Sequence, residues 1–249
     1  MKKLLGLLLA GGILAFTSCE TTREITLNEN GSGSLMTTTD MSGLIGIAKM
    51  SGQDMGKSEK ALDTTINLDK MVDSLPELSS DEKELVKKGV LGLVMNLDEE
   101  KLVTKLQFPF ENSAQIKKLD EVSDKIMKKA MQKEAAGKEG ASAIPDDQMP
   151  KATIDDYFTM TYGKGVIERK HIPEKYAKVG EDQGMQALKE VSGQGMPFNT
   201  TLIYNLPTPA KKAEGKNVKL SEDKKKVTIA TSIDDFFDDV TKLEFRIEY

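Results

Sequence analysis

The chain has 249 residues, with 35 Lys and Arg against 40 Asp and Glu and a formal charge of −5. An acidic chain without a basic block speaks against nucleic acid as a partner, since phosphate neutralisation supplies much of that affinity, and zero Trp with only 8 Phe and 5 Tyr speaks against a site that stacks sugars. One cysteine leaves no disulfide, and one histidine means that any triad, Cys/His pair or histidine metal site rests on His171 alone.

Met1, Lys2 and Lys3 precede an apolar run from Leu4 to Phe16 that falls short of the roughly twenty residues a spanning helix needs. That is the shape of a signal peptide, expected over residues 1–18. The run ends Ala15-Phe16-Thr17-Ser18-Cys19, which resembles the lipobox of bacterial lipoproteins. The resemblance implies cleavage between Ser18 and Cys19, a diacylglycerol on the Cys19 thiol and a further palmitate-type acyl chain on the new amine. Two or three chains hold a protein on a membrane stably where one does not. An ordinary signal peptide with an incidental cysteine, or a buried N-terminal helix, is the alternative. Loss of Lys2 and Lys3 makes the charge two units more negative.

In chain order, Ile25 and Leu27 alternate with polar neighbours, residues 28–33 form a turn, and Leu35 to Thr39 completes a hairpin. Asp40 can cap a helix over Met41–Met50, weakened by Gly43 and Gly46. Ser79 to Glu82 is a capping box for a short helix that ends at Lys87 and Lys88, with Gly89 as its left-handed stop. Val90–Leu97 and Leu102–Phe108 make a second hairpin. Asn112 with Gln115 caps a helix whose apolar face is Ile116, Leu119, Val122, Ile126 and Ala130.

Residues 135–150 lose periodicity and read as a linker or mobile loop. Beyond it, Tyr157–Tyr162 and Val166–His171 flank Gly163-Lys164-Gly165 as a third hairpin. A helix runs from Asp182 to Ser192 and stops at Gly193. Phe198, Thr200, Leu202 and Tyr204 share one strand face. Val218–Leu220 pairs with Val227–Thr231, Ser232 and Asp235 cap a helix through Phe236 and Phe237, and Leu243, Phe245, Ile247 and Tyr249 alternate along a last strand. Hairpins mixed with helices, without a βαβ rhythm, define an α+β fold with mainly antiparallel sheet and several packed helices. The halves 19–134 and 151–249 are either one domain or two.

Arg23 to Gly33 after Cys19, then Asp40-Met41-Ser42, Tyr204-Asn205-Leu206-Pro207-Thr208-Pro209-Ala210 and Leu220 to Lys224 together resemble a group of lipoproteins of Bacteroidota-type bacteria for which no activity is known. The resemblance implies an envelope location and an α+β fold, and carries over no catalytic residue. The expected address is the cell envelope, lipid-anchored, with the outer membrane preferred and the inner membrane left open.

No catalytic residue, metal ligand or cofactor is expected. His171 reads as a partly exposed strand residue. Asp234, Asp235, Asp238 and Asp239 suggest calcium or a carboxylate pair, but helix N-terminal acids on a solvated face explain them better, and no calcium-loop spacing is present. Asp63-Thr64-Thr65 and Asp73-Ser74-Leu75 match a bacterial O-glycosylation tripeptide weakly at Thr64 and Ser74. Thirteen Met residues fill a core short of aromatics or build an adaptable groove. The leading expectation is a non-enzymatic lipoprotein binding an envelope protein or an apolar ligand near the membrane; a hydrolase with a carboxylate pair and a structural accessory subunit are the alternatives.

Overall fold

The computed structural model describes residues 19–43, 45, 61–75, 78–136, 153–195 and 197–249. Residues 1–18, where the signal peptide is expected, residues 137–150 and most of residues 41–50, where a helix is expected, lie outside the described residues. Among those described, twelve strands and five helices form an α+β fold in two sheets. The larger sheet contains β1 (Cys19–Leu27), β2 (Gly33–Asp40), β3 (Ala61–Asn67), β4 (Val90–Asn96), β5 (Lys101–Phe110), β8 (Phe198–Asn205), β10 (Val218–Leu220) and β11 (Lys226–Ser232), in the order β10-β11-β8-β1-β2-β5-β4-β3. All its neighbours are antiparallel except β1 and β8, which run parallel. That pair joins strands from residues 19–134 and 151–249 in one sheet. The smaller sheet, all antiparallel, has the order β6-β7-β12-β9, from β6 (Phe158–Gly163), β7 (Val166–His171), β9 (Lys212–Glu214) and β12 (Phe245–Glu248).

The expected hairpins form, with differences. β1 begins at Cys19 rather than near Ile25, and the Cys19 amide donates to the Pro197 carbonyl at 3.2 Å. The turn at residues 28–33 closes through Gly31 at φ +83° and an Asn28 side-chain amide that donates to Ser32 Oγ. β3 and β9 are additions to the sequence reading. Leu243 belongs to a 3-10 turn that precedes β12 rather than to the strand.

Helix α1 (Ser80–Val86) carries the Ser79/Glu82 capping box. Gly89 is not left-handed. Its position is set by close approach, because a Cβ there would lie 2.5 Å from the Phe108 ring. In α2 (Gln115–Ala136) the Gln115 side chain accepts from the Glu111 amide, and Ala135 and Ala136 extend the helix into the stretch read as linker. A single turn, α3 (Pro173–Tyr176), precedes α4 (Gln183–Gly193), which Asp182 caps through the Met185 amide; α4 includes Gly193, and the positive φ falls on Gly195. α5 (Ile233–Asp238) has the Ser232/Asp235 capping box.

Register fixes which residues face inward, since strand side chains alternate. Ile25, Leu35, Phe108, Tyr204 and Val227 stand side by side across five strands. Ile116, Leu119, Val122 and Ile126 of α2 and Ile167, Phe245 and Ile247 of the small sheet close over them in one core. Complete burial of such side chains contributes about 1.5–3 kcal/mol each. A second cluster around Phe236 gathers Tyr157, Phe158, Met185, Ile233, Val240 and Leu243. No helix among the described residues is long and apolar enough to cross a membrane.

Candidate functional site: a cleft over paired arginines

Two further inward rows follow the apolar one toward the start of β1. The first is Leu106, Thr37, Arg23, Leu202 and Ile229; the second is Thr104, Thr39, Thr21, Thr200 and Thr231, one threonine from each of β5, β2, β1, β8 and β11. Neighbouring strands lie about 4.8 Å apart, so the hydroxyls form a polar ladder across the sheet. A cleft of about 410 Å³ opens over both rows, within the usual size of small-molecule sites. Ile154, Leu188, Phe198, Ile233 and Leu243 wall it, α2 contributes Asp120 and Ser123, and Cys19 lines it four residues along β1 from Arg23.

The base of the cleft is charged. Arg23 pairs through Nη2 with Asp120 and through Nη1 with Asp155 Oδ2 at 3.4 Å. Arg169 of β7 donates from Nη2 to Asp155 Oδ1 at 2.8 Å and stacks its guanidinium 4.0 Å above the Phe158 ring. Asp155 comes from the 3-10 turn Ile154–Tyr157, set by the Thr153/Asp156 capping box. Arg169 is 4 % exposed, and neither its Nε nor that of Arg23 has a hydrogen-bond acceptor among the described residues. Burial works against ionisation of Asp155, but Arg169 and Arg23 prevail and hold its carboxyl below the ordinary value. Burial also opposes the Arg23 charge, and Asp120 outweighs it. Beside Arg23, burial pushes Tyr204 up to about 12 and Tyr162 well above its usual value.

Sequence reasoning missed Arg23, Asp120, Asp155 and Arg169 as a group. A signal existed for the arginines: Arg23 shares the phase of Ile25 and Leu27, and Arg169 that of Ile167, so both are charges at inward positions of a strand.

The residues singled out in the sequence lie elsewhere, apart from Cys19. Burial and then Asp40 raise the Cys19 thiol, the opposite of what an activated nucleophile requires. His171 ends β7, outside the cleft, where its Nδ1 lies 2.6 Å from Glu244 Oε1 and its ring meets Tyr176 edge-on at 6.1 Å. Three of the four aspartates near Phe236 have structural partners: Asp234 accepts from Ser192, Asp235 from Lys242, and Asp239 from Lys216 and Thr241. Among the described residues no three His, Cys, Asp or Glu side chains gather as a metal site. Thr64 lies half-buried in β3, and Ser74 ends the 3-10 turn Val72–Ser74. Ser18 is outside the described residues. Comparisons with protein-family models, with curated proteins and with solved structures found no match.

Proposed function

We propose that the protein is an envelope lipoprotein, anchored through lipid on Cys19, that holds an apolar-chained ligand in the cleft beside the membrane. The observation that carries this reading is that the anchor residue and the ligand-sized cleft coincide: Cys19 lines the cavity whose base is Arg23. A lipid on its sulfur leaves from the cleft lining, with no tether between anchor and sheet, so the cavity lies against the headgroups. The Cys19 amide that donates to Pro197 survives acylation of the nitrogen, so the strand accommodates the processed terminus.

The carboxylate-pair alternative is less well supported. Asp120 and Asp155 both line the cleft, yet acid work needs one carboxyl pushed up by an apolar site or a like charge, and each of these is paired with an arginine, Asp120 with Arg23 and Asp155 with Arg169.

The test is lipid retention by the full chain, taken from membranes into polymer discs without detergent. Mass spectrometry of the extracted lipids should find one class enriched over the surrounding membrane, and Ser123→Phe, which fills the cleft from α2, should abolish the enrichment without lowering the melting temperature. Equal lipid profiles for the two proteins would refute the binding reading.

A further inference from the structure

Two arginines that belong to different sheets converge on one carboxylate, and that carboxylate comes from a side chain half open to solvent. The cations are fixed and the anion is the replaceable member: Arg23 is built into an interior strand and Arg169 is 4 % exposed, whereas Asp155 rides on a single 3-10 turn. Both guanidiniums keep an Nε–H without an acceptor among the described residues. A buried donor left unpaired costs about 1–3 kcal/mol. A guanidinium presents its donors as a planar fork suited to a carboxylate. From this base the cleft runs past the threonine ladder to Cys19, four residues or about 13 Å along β1, between Leu188, Phe198, Leu202 and Ile233.

We infer that the ligand is a single-chain anionic amphiphile whose carboxylate takes the place of Asp155 between Arg23 and Arg169, with its chain lying along the apolar wall toward Cys19. This rests on the reading of the cleft as a binding site and adds the chemistry of what it takes. Asp155 then acts as a stand-in that keeps the arginines paired while the cleft is empty and swings out with its turn when a ligand carboxylate arrives. Recognition needs the charge and the chain together: Asp120 remains on Arg23, so the site carries a net single positive charge once Asp155 has left, enough for one monoanion.

The test uses the full chain in discs of zwitterionic phosphatidylcholine and two photoactivatable probes of equal length, hexadecanoic acid and hexadecanol, each bearing a diazirine near the chain end. Cross-linked peptides are mapped by mass spectrometry and half-saturation concentrations compared. Removing Arg169 would strip Asp155 and Phe158 of their partner and risk the fold, so the variant is Asp155→Asn. The acid should label peptides of β1, β8 or α4 at a concentration roughly tenfold lower than the alcohol, the effect of one charge-assisted hydrogen bond. Asp155→Asn should tighten the acid several-fold further and leave the alcohol unchanged. Equal values for acid and alcohol in both proteins would overturn the anionic ligand and leave the cleft reading standing. A preference for the acid that Asp155→Asn does not change would overturn the placement of the head group. Failure of both probes to label the cleft in either protein would remove the binding reading itself, and this inference with it.

Discussion

Arg169 Nη2 donates to Asp155 Oδ1 at 2.8 Å, yet the two side chains have different surroundings, that of Arg169 5 % exposed and that of Asp155 50 %. A pair of this kind holds a charge in the interior with a partner that water can reach. Its strength therefore depends on pH through the carboxylate alone.

The Asp155 carboxyl is held below its ordinary value of 3.8, against desolvation, by Arg169 and Arg23. A folded value below the unfolded one contributes stability that is complete above 3.8 and is lost as pH falls through the folded value. Asp155→Asn removes that contribution, which half-exposure limits to the order of 1 kcal/mol. Urea midpoints of wild type and variant should differ at pH 7 and converge as the pH drops below 3.8. A gap that stays constant down the acid limb would show that the pair contributes no pH dependence.

Gly31 and Gly33 stand in the same turn for different reasons. Gly31 has φ +83°, and a Cβ there would meet nothing within 4 Å, so Gly31→Ala encounters only backbone strain, about 1 kcal/mol. At Gly33 a Cβ would lie 1.9 Å from the Thr26 carbonyl oxygen and 2.5 Å from the Phe110 ring. The strands must part, at a cost of several kcal/mol, more than ordinary overpacking. Thermal denaturation should rank wild type, Gly31→Ala and Gly33→Ala in falling order; equal melting points for the two variants would contradict the close approach.

Local features of this fold are legible in the sequence and long-range ones are not. The capping boxes at Ser79 and Ser232 and the turn at residues 28–33 depend on residues a few positions apart, so composition and spacing reveal them. The parallel pairing of Cys19–Thr26 with Phe198–Asn205 joins segments far apart in sequence and leaves no local mark. β3 escapes notice because it is an edge strand whose inward positions, Leu62, Thr64 and Ile66, are only half-buried and stand among Asp63, Thr65 and Asn67. Gly89 stands out at the end of a helix, but its reason, the Phe108 ring, lies on β5, distant in sequence. The cleft follows the same rule: its threonines and arginines are scattered from residue 21 to residue 231, and only sheet register sets them side by side.

Ser232 caps α5 through the Asp235 amide, and Asp235 answers through the Ser232 amide. Ser232→Ala should cost about 1 kcal/mol of stability. The loss should also reach the cleft, because Ser232 and Ile233 line it. Hydrogen exchange of the α5 amides should accelerate in the variant while that of β4 and β5 stays unchanged; uniform acceleration would mean the cap supports the whole domain rather than this wall.

The proposed anchoring role of Cys19 and its position in the cleft lining are separable by mutation. Cys19→Ala should abolish lipid attachment and leave an unprocessed or differently processed precursor in place of the mature lipoprotein; the same mature mass as wild type in a carbonate-washed pellet would refute lipidation. A spacer that tests proximity must leave β1 intact, because its residues pair with β2 and β8 on both sides. The insertion belongs directly after Cys19, with about twenty flexible Gly and Ser residues and a serine restored at the strand position that Cys19 now fills. Such a linker has a root-mean-square span of roughly 25 Å, enough to lift the cleft clear of the headgroups. Lipidation, abundance and melting temperature should be unchanged, while enrichment of a bilayer-derived ligand should fall, because an apolar chain would then have to cross water to reach Arg23 and Arg169. Undiminished enrichment with the long spacer would mean that the ligand arrives from solution and that the place of Cys19 in the cleft lining has no part in loading it.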